Sequence, residues 1–125
     1  MLLTQDEDFG LDAGAIARAE AALDALSKTY ITWAEADLEK MRASLSRGDW
    51  VELHAVAHNV KGQAGTFGYP LLTELGARLC ALVREHEAPD RARAESLVEA
   101  IALVVGQRIS GDGGDRRQEV LARIG

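Results

Sequence analysis

The chain has 125 residues, enough for one domain with its own core and no need of a disulfide or metal staple. Its net charge of -6 excludes the basic stripe that nucleic acid or an acidic membrane surface would require. Hydrophobic residues at 47% and charged residues at 27% exclude a disordered chain, and only two prolines interrupt a sequence rich in strong helix formers, so the class is all-α.

In chain order, the opening MLLTQDEDFG is acidic and lacks the basic and apolar regions of a secretory signal. No apolar run approaches the ~20 residues of a membrane span. Cys80 stands alone, which points to a reducing cytoplasm and no internal disulfide. The Asp6-Glu7-Asp8 run reads as a solvated tail. A first helix is predicted over about 12–26, with Asp12 as N-cap and Ile16, Ala19, Leu23 and Leu26 on one stripe. A second is expected over about 29–47, facing inward through Ile31, Ala34, Leu38, Met41 and Leu45. Ser27 to Thr29 either separates the two or only kinks one long helix.

Gly48 stops that helix, and Asp49 with Glu52 has capping-box spacing for a third helix over 50–67. Its apolar stripe is Trp50, Leu53, Ala57, Val60, Ala64 and Phe67. Gly68 and Pro70 mark the next turn. A fourth helix is expected over about 71–86, burying Leu72, Leu75, Leu79, Leu82 and Val83. The fifth, over about 91–108, presents Ala94, Leu97, Ile101, Val104 and Val105. Short connections favour an antiparallel, up-and-down four-helix bundle with an extra N-terminal helix. The bundle domain is expected over 1–110. Residues 111–125 read as a flexible Gly-rich linker and a short amphipathic tail that either docks or frays.

The segment HNVKGQAGTFG, from His58 to Gly68, is hard to explain as scaffold. At 100° per residue, His54, His58, Lys61, Gly62 and Gly65 share one helical face, beside the apolar stripe. Each glycine costs a helix interior roughly 1 kcal/mol relative to alanine. Helical side chains lean toward the N-terminus, so a side chain at 62 would lie over His58, and glycine there leaves the imidazole bare. Lys61 leans the same way and can meet an anion attached to His58, while Gly65 extends the cleared approach by a turn. His54, Ala55 and Asn59 are expected to rim a docking surface. An exposed imidazole, a cation and a cleared approach suit a histidine that accepts a phosphoryl group.

These residues resemble the hallmark of the histidine phosphotransfer (HPt) domain family, in which Lys-Gly follows the histidine by three residues, then small residues, then an apolar residue and glycine. Here they are His58, Lys61-Gly62, Ala64-Gly65 and Phe67-Gly68, within a pattern that matches over about 23–104. Gln63 departs, standing where the family often has serine or alanine. The resemblance implies that His58 takes the phosphoryl group from one receiver aspartate and yields it to another. Lys61 would balance phosphoryl charge, and the partner receiver would bring Mg²⁺, with no cofactor on this chain. The implied partners are response-regulator receiver domains and a hybrid sensor kinase, met by a monomer. The protein is thus expected to be a carrier and not an enzyme. No Gly-rich nucleotide-binding region follows, so it should not phosphorylate itself from ATP. The competing reading is a docking or inhibitory module with His58 incidental, which would have no need of Lys61 and the two glycines. Metal binding is not expected, since Ala55, Val56 and Ala57 between His54 and His58 offer no glutamate.

Overall fold

The computed structural model describes residues 12–85 and 87–124; the acidic run Asp6 to Asp8 and His86 lie outside them. The described residues form helices joined by short turns, with no strand among them. The elements are α1 (Ala13–Arg47), α2 (Trp50–Gln63) continued by a 3₁₀ turn (Ala64–Phe67), α3 (Pro70–Arg84), α4 (Arg91–Gln107), and a tail with a 3₁₀ turn (Gly114–Arg116) and α5 (Arg117–Ala122).

The separate N-terminal helix expected from the sequence does not exist: α1 is one helix of 35 residues. Ser27-Lys28-Thr29 contains neither glycine nor proline, and the Thr29 hydroxyl donates back to the Ala25 carbonyl at 3.0 Å, as a helix allows. Asp12 caps its start by accepting from the Ala15 amide at 2.6 Å. Only the second half of α1 enters the core, through Tyr30, Ile31, Ala34, Met41 and Leu45.

Gly48 ends α1 with φ 71°, a left-handed conformation in which a side chain would be strained. Asp49 then caps α2 through the Glu52 amide at 3.0 Å. The capping box is only half formed, because the Glu52 carboxylate turns to Arg47 instead. Directions follow from the contacts. Arg42 pairs with Glu99 at 3.1 Å, and Arg91 reaches the Leu45 and Ser46 carbonyls, so α4 runs against α1. Thr73 meets Gly65, Gly76 meets Ala57 and Lys61, and the Cys80 thiol lies 3.9 Å from the His54 carbonyl, so α3 runs against α2.

The core is continuous, with Leu53, Val60, Leu72, Leu75, Leu79, Leu97, Ile101 and Val104 at its centre. The 111–115 stretch, expected to be a flexible linker, is instead tied to the bundle. Gly111 donates to the Gly68 carbonyl at 2.8 Å and accepts from the Leu71 amide at 3.1 Å. Leu71 lies in the first turn of α3, whose amides have no helical acceptor, and Gly111 supplies one. Val120 and Ile124 join the core, and Arg117 pairs with Glu74 at 2.9 Å. Burial of the apolar side chains holds down a helix too short to stand alone.

Candidate functional site

The outer face of α2 is built by burial of its inner one. Leu53, Val56, Ala57 and Val60 go into the core. The 3.6-residue period then leaves Ala55, His58, Asn59, Lys61 and Gly62 exposed on the outside. His58 sits at the middle of this strip. A Cβ added at Gly62 would meet nothing within 4 Å, so the space next to that position is open. Lys61 makes no ion pair among the described residues. It lies three residues on from the exposed His58, and its charge is also felt at the Cys80 thiol of α3.

His54 stands apart from this strip. It is half-buried toward α3, its ring stacks with that of His58 at 6.3 Å between centroids and 12° between planes, and its Nε2 is buried without a hydrogen-bond partner among the described residues. With Trp50, Val51, Val83 and Arg84 it lines a shallow, mostly apolar groove of about 360 Å³.

Gly65 is exposed but lies past the end of the α-helix. The α-helix ends at Gln63 and the chain tightens into a 3₁₀ turn from Ala64, so the 100° spacing no longer applies. The Gly65 amide donates to the Thr73 hydroxyl at 2.8 Å, and an added Cβ would lie 3.3 Å from that same oxygen. Its lack of a side chain therefore serves the approach of α3. Gln63 points to solvent at the end of α2, and its bulk is accommodated without displacing the core.

Three residues that sequence reasoning passed over also belong to the site. Gly76 is buried behind it, where a Cβ would lie 3.0 Å from the Lys61 amide nitrogen and 3.1 Å from the Ala57 carbonyl oxygen. It lets α3 press directly on the backbone that carries His58 and Lys61. Val51 is 83% exposed and lies seven residues before His58 on the same face. That interval was available as a signal. Arg84 was not, because only the packing of α3 on α2 brings it to the His54 groove. Burial raises the Cys80 thiol above its ordinary range, against the opposing influence of Lys61 and Arg84, so it is inert filler between the helices.

Among the described residues no three His, Cys, Asp or Glu side chains gather as a metal site, and no helix is long and apolar enough to cross a membrane. Residues 25–107 match the family model described as Hpt domain. No curated protein and no solved structure matches the chain.

Proposed function

We propose, since this chain belongs to the Hpt domain family, that it relays a phosphoryl group between receiver-domain aspartates with His58 as the acceptor. The family implies phosphotransfer in two-component relays. The observation that supports the residue assignment is the open turn at Gly62 next to an exposed imidazole, with Lys61 forming no ion pair among the described residues.

A neutral imidazole nitrogen of His58 attacks the phosphorus of a receiver's aspartyl phosphate. The N–P bond forms as the acyl P–O bond breaks, and the carboxylate leaves with its electron pair. The reverse exchange on a second receiver returns the imidazole. Such transfer depends chiefly on positioning and on neutralising the equatorial oxygens. Gly62 lets the donor approach closely enough for its aspartyl phosphate to come within bonding reach of His58, and the Lys61 ammonium balances charge from this side. The receiver brings Mg²⁺ and the remaining electrostatics. Ala55, Asn59 and Val51 form the contact patch, with His54 at its edge. Small and apolar residues at the centre and polar ones at the rim suit a modest, transient interface.

The experiment is transfer of label from a phosphorylated receiver to wild type and to His58→Gln. Acid-labile, alkali-stable label on wild type and none on His58→Gln is the expected result. Label on the variant would reject the assignment. Receiver binding without any label on wild type would instead favour a docking module.

A further inference from the structure

The groove at His54 begins beside the ring that stacks on His58 and runs back along α2 to Trp50, with Val83 and Arg84 of α3 as its other wall. Its make-up is not that of a surface that meets only water. The lining is mostly apolar, and Val51 at its rim is 83% exposed. The His54 imidazole adds nothing to the fold that an apolar side chain would not, because its buried Nε2 has no hydrogen-bond partner among the described residues. Arg84 is exposed and forms no ion pair among the described residues. We infer that this groove is a docking subsite that takes an apolar side chain of the receiver, with an adjacent receiver aspartate or glutamate on Arg84. Arg84 is then a specificity-determining residue, which sets the receivers this chain accepts. The inference rests on the reading that receivers dock at His58.

Position selects the receiver as occupant. A receiver has to bring its aspartyl phosphate to His58, and even a transient interface covers about 600 Å² of each partner, a disc about 14 Å in radius. Along the helix axis His54 lies about 6 Å before His58, and Val51 about 10 Å. An interface centred on His58 therefore covers the groove. Next to the acceptor, Ala55 and Gly62 leave only room, and the group that approaches there is the phosphoryl that every receiver carries. One to two turns away, receivers are free to differ. Charge selects an acidic neighbour for the apolar side chain. Burial raises the Cys80 thiol while Lys61 and Arg84 both pull it down, which puts the two cations together on the α3 side of α2. That edge is locally positive on a chain whose net charge is -6. Lys61 is three residues from His58 and serves the phosphoryl group, whereas Arg84 stands at the groove and is left for the receiver's own carboxylate. An apolar cleft with a cation at its rim makes a contact that discriminates by shape and by sign of charge.

The test is calorimetric titration of the full chain with purified receiver domains, each with its aspartate loaded with beryllium trifluoride. The receiver that binds wild type most tightly is then taken to the variants. Val51→Glu and Arg84→Glu, both at exposed positions, should each weaken binding roughly tenfold, with helicity by circular dichroism as in wild type. Arg18→Glu makes the same change of charge in the exposed first half of α1 and should bind as wild type does. Arg84→Gln should lose most of the salt dependence of wild-type binding. In transfer from the same receiver in its phosphorylated form, Arg84→Glu should raise the half-saturating concentration roughly tenfold and lower the saturating rate by less than about twofold. Wild-type affinity in both glutamate variants overturns the inference, as does an equal loss in Arg18→Glu or an unchanged salt dependence in Arg84→Gln. Binding is read without transfer, so the two readings fail separately. A labelled wild type whose glutamate variants bind normally rejects the groove alone, whereas groove-dependent binding with no label on His58 rejects the phosphotransfer alone. Binding by no receiver rejects both.

Discussion

On its outer side α2 faces empty space above Gly62, while on its inner side Gly76 of α3 lies in contact with the backbone of Ala57 and Lys61. Both glycines omit a side chain next to the same helical turn, yet for opposite ends. At 62 the omission leaves the space outside the helix open. At 76 it is used up by the chain's own packing, which holds the Lys61 backbone in place. The exposed face is accessible because the buried face is rigid, and a core this dense resists small displacements.

The comparison breaks most severely at Gly76. Gly76→Leu would need the α2 backbone to move, and should cost about 3 kcal/mol in denaturant unfolding, as overpacking against an unyielding neighbour does. A fully stable Gly76→Leu would show that α3 is free to shift. Gly62→Gln, by contrast, should fold as well as wild type or better by up to about 1 kcal/mol, because helix propensity improves. Its transfer rate from a phosphorylated receiver should nevertheless fall by roughly tenfold or more, about 1.4 kcal/mol in barrier. Normal transfer by that folded variant would remove the steric role of Gly62.

A smaller effect is expected at Tyr30, on the buried side. Its ring stacks on Phe67 at 5.2 Å between centroids, but its hydroxyl is buried without a partner among the described residues. Tyr30→Phe should therefore stabilise the fold by about 1 kcal/mol, measured by thermal or urea unfolding. Burial, and secondarily the charge of Asp37, pushes the Tyr30 hydroxyl up to about 12 from its ordinary 10.0. The folded state thus holds this proton more tightly than the unfolded one. Its contribution is complete below about pH 10 and is lost as pH rises toward 12. Wild type should lose stability over that interval more steeply than Tyr30→Phe. Equal slopes for the two proteins would place the alkaline loss elsewhere.

Much of the site was legible because it is local. His58, Lys61 and Gly62 lie within five consecutive residues of one helix, and helical periodicity alone puts the imidazole outside while Leu53, Ala57 and Val60 go in. Gly65 lies past Gln63 in a turn of different pitch, where the α-helical period does not fix its direction. Nothing at 64–67 signals that change, since the Thr73 hydroxyl that receives the Gly65 amide comes from the next helix. The stripe of Ile16, Ala19, Leu23 and Leu26 lies on the first half of α1 and not on a separate helix, and it is exposed. Amphipathicity says that a face needs cover, and does not say what covers it.

By itself the sequence determined the helical class, the stops at Gly48 and Gly68, and the outward face of α2, since each follows from local conformational preference or from a period of 3.6 residues. Only the tertiary structure decided that α1 is one helix half outside the core, and that the tail is tied down through Gly111. It alone decided that Gly76 braces the Ala57–Lys61 turn of α2 from behind. Those outcomes depend on which elements reach one another in space. The energies that settle them, contact packing and the pairing of stranded backbone amides, are properties of two segments at once.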